Sequence, residues 1–177
     1  MSKLDTKNLK LRVRSLTDAD DLLRVFQAVR AVQPSWDPRS AAGLRMADPS
    51  NLQVPDRDWI VKSVFLSDTH WRKNGFGYWS VFINNTLIGS VGLKRNAERT
   101  VFLEVEIHPD YQKKGYAKEA ASAAIDYGFR LHKIPAIFGT VKSLNTAAIK
   151  LMKSLGFEES SADAHDLTLC LKCPTKR

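Results

Sequence analysis

The stretch from Val101 to Phe129 constrains the fold most, because its hydrophobic period changes from that of a strand to that of a helix. Apolar residues occupy every second position from Val101 to Ile107, which is the pattern of a β-strand. The proline of His108-Pro109 lacks an amide donor and should end this strand. After Gly115 the apolar residues recur at intervals of three and four, which predicts an amphipathic helix. The stretch is therefore a strand, a glycine turn and a helix.

The turn has the composition of an anion site. The first amides of a helix have no partner within the helix and carry partial positive charge, so they can hold a phosphate. Gly115 allows close approach of the backbone because it has no Cβ. Lys113 and Lys114 add two positive charges beside the same turn. These features predict a pyrophosphate-binding turn, although a glycine turn ahead of a helix is weak evidence by itself.

The residues of this turn resemble a known motif. The segment Gln112-Lys113-Lys114-Gly115-Tyr116-Ala117 resembles the [QR]xxGx[GA] pyrophosphate motif of the GNAT acetyltransferases, and Ile107-His108-Pro109 precedes it as in that superfamily. A second segment, NTAAIKLMKSLGF from Asn145, resembles the family's Nxx[AS] helix, with Gly156-Phe157 at the expected distance. The closest resemblance is to the Rim-type ribosomal-protein acetyltransferases. Neither GxGxxG nor GxxxxGK[ST] is present, which argues against the corresponding dinucleotide and nucleoside-triphosphate sites.

The resemblance implies the GNAT acyl-CoA N-acyltransferase fold, an α/β (α+β) fold with a mixed central sheet and helices on both faces. Hydrophobic patterns are consistent with that order of elements. The predicted strands are Leu9–Leu16, Phe76–Ile83, Leu87–Leu93, Val101–Ile107, Ile137–Val141 and Asp166–Leu171. The predicted helices begin at a Thr17/Asp20 capping pair, at Asp56, at Gly115 and at Asn145, and a loop, a short helix and another loop are expected in Gln33–Arg57.

Length and composition narrow the class of protein. A chain of 177 residues, 44% hydrophobic and 26% charged, predicts a single domain, residues 1–177, with a well-buried core. No apolar run reaches the length of a membrane span, and the N-terminus lacks the apolar centre of a signal peptide. We therefore expect a cytoplasmic protein with no membrane partner, as a monomer or homodimer. The net charge of +8 comes from scattered Lys and Arg, so a nucleic-acid partner is not expected.

The resemblance also implies a donor and the residues that bind it. Acetyl-CoA, as acyl-donor substrate, would bind where the central strand splays from its neighbour, with the Val105 amide beside the thioester oxygen. Such a donor would stabilise the oxyanion formed during amine attack. The implied cofactor-binding residues are Val105, Ile107, Gln112, Lys113, Lys114, Gly115, Tyr116, Ala117 and Asn145. Asn145 is also predicted to cap its helix.

Two carboxylates are candidates for the general base. Glu104 and Glu106 project from one face of the central strand, where partial burial would suit a carboxylate to accept the amine proton. Either side chain is equally suited to an ion pair with a neighbouring Lys or Arg. His108, at the end of the strand, is more typical of a capping or surface histidine than of a base.

The candidate acid differs from the family pattern. Many relatives place a tyrosine seven residues after the helix asparagine, and Rim-type enzymes often have a serine three residues after it. Met152 and Ala148 occupy those positions here, so the sequence does not identify the group that protonates the leaving thiolate. Ser143 and Tyr116 are possible substitutes, and nothing in the sequence selects either.

No metal site is expected. Cys170 and Cys173 form a CxxC without a second pair, and their odd separation on a strand directs the side chains to opposite faces. The resemblance implies that acceptor specificity lies in Gln33–Trp59 and in the turns of the three-strand meander. There Asp37, Asp48, Asp56 and Asp58 would attract a cation and Trp36 and Trp59 would flank it, although ordinary surface residues explain the same pattern.

These observations predict an N-acetyltransferase that moves an acetyl group from acetyl-CoA to a primary amine, either a protein N-terminus or a small molecule. One alternative is a non-catalytic GNAT-fold protein that binds acyl-CoA as a sensor or interaction module. A nucleic-acid module is the third reading, and the basic charge is its support.

Overall fold

A computed structural model describes residues 3–33 and 55–174 of the chain. The loop, short helix and loop predicted for Gln33–Arg57 fall largely in residues 34–54, which lie outside the described residues. Trp36, Asp37 and Asp48 lie there as well.

The described elements follow the predicted order. The helices are α1 (Ala19–Val32), α2 (Arg57–Asn74), α3 (Tyr116–His132) and α4 (Thr146–Ser154), with short 3₁₀ turns at Leu16–Asp18 and Pro109–Tyr111. The strands are β1 (Leu4–Asp5), β2 (Lys10–Val13), β3 (Tyr78–Ile83), β4 (Thr86–Arg95), β5 (Val101–Ile107), β6 (Ala136–Lys142), β7 (Glu158–Ala162) and β8 (Asp166–Lys172).

The strands form one mixed sheet in the order β1-β2-β3-β4-β5-β6-β8-β7. The pairs are antiparallel except for β5 and β6, which run parallel and are connected through α3. Strand β5 is central, with β4 on one edge and β6 on the other. The mixed α/β fold predicted from the sequence is confirmed.

Helices pack on both faces of the sheet. The buried side of α3 is made of small residues, including Ala120, Ala121 and Ala124, and the α-carbon of Gly128 lies close to Leu93 and Ile137 of the sheet. Helix α1 packs on the opposite face, where Phe26 is fully buried. Small residues on α3 let that helix approach the sheet closely, which positions its N-terminus at the end of β5.

The structure corrects three local predictions. Strands β1 and β7 were not predicted, because β1 has two residues and β7 is exposed along its whole length. The predicted Thr17/Asp20 capping pair is wrong, because Ser15 and Asp18 form the capping box and α1 begins at Ala19. The first long strand ends at Val13, earlier than predicted.

Other predicted boundaries agree closely. Helix α2 begins after Asp56, whose side chain accepts a hydrogen bond from the Trp59 amide at 2.8 Å, and it ends at Gly75 in the left-handed conformation. None of the described helices has the length and apolar character needed to cross a membrane.

Candidate active site

The backbone of β5 alternates between its two neighbours. The amide of His108, just after β5, donates to the carbonyl of Ile88 in β4 at 2.8 Å, so His108 and Ile88 form a hydrogen-bonded pair. Because hydrogen-bonded and non-hydrogen-bonded pairs alternate in an antiparallel ladder, Glu106 and Glu104 also bond to β4. The polar backbone groups of Val105 and Ile107 therefore point the other way, toward β6.

Strand β6 diverges from β5 on that side. Among the described residues, β5 and β6 pair at Val101 with Ile137 and at Phe102 with Phe138, and the pairing stops there. By contrast, β4 pairs with β5 along all of Val101–Ile107. The divergence leaves a gap in the sheet that Val105 and Ile107 face, as the resemblance implied.

The turn after β5 is held by its own side chains. Gln112 Nε2 donates to the Ile107 carbonyl at 2.9 Å, which fixes the turn against the strand end. Lys113 and Gly115 both have positive φ angles, of 59° and 85°. A Cβ at Gly115 would meet nothing within 4 Å, so the space beside this residue is open.

Helix α3 begins at this turn. Its first bond runs from the Glu119 amide to the Gly115 carbonyl at 3.0 Å, so the amides of residues 116–118 precede the helical ladder. Tyr116 and Ala117 are half-buried at the helix start. These amides and the positive end of the helix dipole lie at the start of α3, an arrangement that favours anions at helix N-termini in general.

The two lysines of the turn differ in their contacts. Lys114 Nζ donates to the Asp110 carbonyl at 2.8 Å and lies 5.3 Å from the centre of the Tyr111 ring. Lys113 is exposed. Lys114 therefore braces the turn from outside, and Lys113 is the more available charge for a phosphate.

Asn145 caps α4, as predicted. Its Oδ1 accepts a hydrogen bond from the Ala148 amide at 3.0 Å. Asn145 follows β6, the strand that forms the far side of the gap. Its side-chain amide nitrogen is the group left to contact a ligand, because the oxygen is used by the cap.

The candidate bases, Glu104 and Glu106, lie on the face of the sheet that α1 covers. Tyr78 Oη donates to Glu104 Oε2 at 2.8 Å. Burial, and then the neighbouring Glu104 carboxylate, raise the pKa of Tyr78 well above its usual value, so Tyr78 stays protonated and remains a donor. Glu106 is 7% exposed.

An arginine that the sequence did not identify lies beside these carboxylates. Arg14 is 2% exposed, and its Nη2 donates to Ser90 Oγ. Burial lowers the pKa of the Arg14 guanidinium, and electrostatic interactions with Tyr78, Glu106, Glu104 and Asp18 oppose that shift. The sequence contains no direct signal for the burial of Arg14; the small polar residues Ser80 and Ser90, which interrupt buried strands, only indicate that a polar group lies nearby.

Met152 and Ala148, which stand where the family resemblance implies a proton donor for the leaving thiolate, are both apolar. Met152 is 4% exposed and packs over Gly139, where an added Cβ would lie 2.0 Å from Met152 Cε. Ala148 is half-buried on α4. Neither of these two side chains can donate a proton to the leaving thiolate.

The remaining sequence candidates are one histidine and two cysteines. His108 Nδ1 accepts from the Asp110 amide at 3.3 Å and caps the 3₁₀ turn. Cys170 lies in β8 and Cys173 just after it. No group of three or more His, Cys, Asp or Glu within the described ranges is placed to hold a metal ion.

Comparison with known proteins gives a family match. The family described as "Acetyltransferase (GNAT) domain" matches residues 8–158. The uncharacterized N-acetyltransferase p20 of Bacillus licheniformis is 27% identical over 164 residues, which are 90% of this chain and 84% of p20. The uncharacterized N-acetyltransferase YnaD of Bacillus subtilis (strain 168) is 37% identical over 71 residues, 40% of this chain and 42% of YnaD. The chain thus spans less than half the length of that relative.

One solved structure shares the fold over the whole chain. RimL, a ribosomal L7/L12 alpha-N-protein acetyltransferase in complex with coenzyme A, superposes with a TM-score of 0.75 and covers 97% of this chain and 98% of its own. Sequence identity is 12%, so this likeness concerns the fold alone.

Proposed function

Because the chain belongs to the GNAT acetyltransferase family, we propose that it transfers an acetyl group from acetyl-CoA to a primary amine. The acceptor is either a protein N-terminus or a small-molecule amine. Residues 1–177 would act as one domain, with the donor on the β6 side of β5 and the acceptor on the face covered by α1.

The donor would lie along β5. The turn from Gln112 to Ala117 would hold the pyrophosphate through main-chain amides, with Lys113 as an added charge. The pantetheine arm would enter the gap and bond to the backbone of Val105 and Ile107 in place of the missing strand partner. Asn145, on the far side of the gap, would contact the same arm.

Each step of the chemistry has a candidate group. Glu104 or Glu106 accepts a proton from the acceptor ammonium, and the resulting amine nitrogen forms a bond to the thioester carbonyl carbon. The Val105 amide donates to the oxyanion that develops on the carbonyl oxygen. The C–S bond then breaks, coenzyme A leaves as a thiolate, and the nitrogen of the new amide gives up its second proton to solvent or to that thiolate.

The divergence of β6 from β5 carries this proposal. Within the described ranges, the backbone of Val105 and the amide of Ile107 face this gap without a β6 partner, next to an open helix-starting turn, and a bound ligand would supply their hydrogen bonds. The gap also directs the donor sulfur toward the region between Val105 and the Glu104–Glu106 face.

The test is a titration followed by turnover. Isothermal calorimetry with acetyl-CoA should show one site per chain, and thiol release should depend on both acetyl-CoA and an added amine from a panel of peptides and polyamines. Absence of acetyl-CoA binding would overturn the proposal.

The apolar acid positions favour one alternative, an acyl-CoA-binding protein without turnover. Met152 and Ala148 offer no proton donor to the leaving thiolate. Tight acetyl-CoA binding without thiol release, across the whole amine panel, would support this second function. Positioning alone is able to supply effective molarities of about 10⁵–10⁸ M, so the missing acid does not exclude transfer.

A further inference from the structure

A cluster of buried charged and polar side chains lies between the sheet and the start of α1. We name it the buried charge cluster, and it consists of Arg14, Asp18, Tyr78, Ser80, Ser90, Glu104 and Glu106. These residues come from the position just after β2, the turn ahead of α1, β3, β4 and β5. Strand register brings them together, because Ser80 lies opposite Ser90, and Ser90 lies opposite Glu106.

Arg14 is fixed at the centre of this cluster. Its guanidinium carbon lies 4.7 Å from the centre of the Tyr78 ring and 5.6 Å from that of Phe26, and its backbone amide donates to the Tyr78 carbonyl at 3.2 Å. Its Nη2 is bonded to Ser90 Oγ. Two aromatic rings and a serine thus fix the plane and position of the guanidinium.

This arrangement is poorly suited to a purely structural role. Within the described residues, Arg14 Nε and Nη1 are buried and make no hydrogen bond. A buried guanidinium without its full set of hydrogen bonds generally costs more than a well-packed apolar side chain of similar size. The compensating interaction is the attraction to the nearby carboxylates of Glu106, Glu104 and Asp18.

The Glu104–Glu106 pair needs such a positive charge. Two carboxylates on one face of a strand, partly or fully buried, repel each other and favour uptake of a proton by one of them. A protonated carboxylic acid cannot accept the proton of an acceptor ammonium. A fixed positive charge beside the pair favours the ionised form of both.

We propose that Arg14 is a positioning residue for acetyl transfer, which keeps the Glu104–Glu106 pair ionised and oriented toward the acceptor. The inference deepens the proposed function and rests on it for its catalytic meaning. Arg14 itself touches neither substrate nor donor, because it is enclosed by Tyr78, Phe26 and Ser90.

The groups that contribute to this titration can be enumerated from the elements packed around it. They are Arg14 just after β2, Asp18 from the turn ahead of α1, Tyr78 from β3 and the two glutamates of β5. Helix α1 presents apolar residues, including Leu22 and Phe26, to its buried side. Arg12, two residues before Arg14, pairs with Asp18 and stacks on Phe82 at 4.6 Å.

The test compares Arg14→Met, Arg14→Lys and the matched control Arg12→Met. Arg12 lies in β2, two residues before Arg14, but its side chain is 44% exposed and its ion pair is with Asp18. Titration of ¹³C-labelled glutamate carboxyls by NMR, assigned with Glu104→Gln and Glu106→Gln, reports ionisation without any need for turnover. The pH profile of kcat/KM reports the same groups in catalysis.

The Arg14→Met variant should raise the midpoint of at least one of the two glutamates by about one pH unit or more, the size of effect that an adjacent opposite charge produces. The acidic side of the pH profile of kcat/KM should move to higher pH by a similar amount, and the KM for acetyl-CoA should stay unchanged. Arg14→Lys, which retains the charge, should restore most of the shift, and Arg12→Met should leave both midpoints in place.

Unchanged midpoints in folded Arg14→Met would overturn the inference. If that variant does not fold, Ser90→Ala serves in its place, because it removes the anchor of the guanidinium and should raise a midpoint by a smaller amount; no change there would also overturn it. A wild-type protein that neither binds acetyl-CoA nor releases thiol would instead refute the proposed function, and the NMR midpoints would still decide the role of Arg14.

Discussion

The proposed donor side and the proposed acceptor side of the candidate site, hereafter the donor side and the acceptor side, are built in different ways. The donor side consists of backbone, namely the open turn at Gly115 and the unpaired edge of β5 that faces β6. The acceptor side consists of buried side chains, with Arg14 and Glu106 almost excluded from solvent. The two sides share one strand, β5, and use its edge for one purpose and its side-chain face for the other.

This difference separates binding from chemistry. Backbone groups at a strand edge and a helix start recognise a pyrophosphate and an amide-rich arm regardless of most side chains. Proton transfer requires ionisable side chains in a defined environment. Substitutions on the two sides should therefore affect different kinetic constants.

The largest effect is expected on the acceptor side. Glu104→Gln and Glu106→Gln replace each carboxylate with a neutral group of similar shape, and the variant that removes the base should lower kcat about 10²–10⁴-fold. The affinity for acetyl-CoA, measured by calorimetry, should stay within about twofold. The prediction fails if neither single variant nor the double variant loses more than about threefold in kcat.

A smaller effect, on affinity alone, is expected on the donor side. Gly115→Asp places a carboxylate at the open turn and should weaken acetyl-CoA binding about 100-fold, through repulsion of the pyrophosphate. Gly115→Asn has a similar shape and tolerates the same positive φ, so the difference between the two variants isolates the charge.

The control for this turn is Gly156→Asp. Gly156 also has a positive φ, of 89°, and an added Cβ would lie 3.5 Å from Leu171. Calorimetry should show normal acetyl-CoA affinity for this variant. Equal affinity of wild type and Gly115→Asp would place the pyrophosphate elsewhere.

Two substitutions of Asn145 separate its effect on stability from its effect on acetyl-CoA binding. Asn145→Ala removes the cap of α4 and should lower the free energy of unfolding by about 1 kcal/mol. Asn145→Asp retains the capping oxygen, so stability in urea should be preserved, but it loses the amide nitrogen proposed to contact pantetheine. Weakened acetyl-CoA binding by Asn145→Asp, at normal stability, would assign that nitrogen to the ligand; normal binding would limit Asn145 to its cap.

The same difference between the two sides explains what the sequence could predict. The donor side is local, because alternation in β5, the proline after His108 and the glycine at 115 follow one another within about 15 residues. The pattern therefore located β5, the turn and α3, and the N-cap at Asn145. The exposed strand β7 escaped prediction because it buries no side chain that would create a period of two.

The acceptor side could not be predicted in the same way. Arg14 looks like an ordinary exposed residue of an alternating strand, and its burial depends on Phe26, Tyr78 and Ser90, from three other elements. The sequence indicated that Glu104 and Glu106 share a face. It gave no means of knowing that a tyrosine would donate to Glu104 or that an arginine would lie nearby, because those contacts depend on strand order and register.

The smallest expected effect concerns the leaving group, at the boundary between the two sides. Met152 packs over Gly139, so a tyrosine at position 152 would overpack the core. The variant would lose about 1–3 kcal/mol of stability, and a change in its activity could not be assigned to the new proton donor.

Ala148 is half-buried and is the better place to restore a proton donor. Ala148→Ser should raise kcat by less than about tenfold, below the usual contribution of acid–base assistance, because a thiolate leaves without immediate protonation. Single-turnover measurements with Ala148→Ser and the matched Ala147→Ser, one position earlier on α4, would test this. An equal rate for both variants and the wild type would show that protonation of the thiolate does not limit transfer, and that the apolar face of α4 is compatible with full activity.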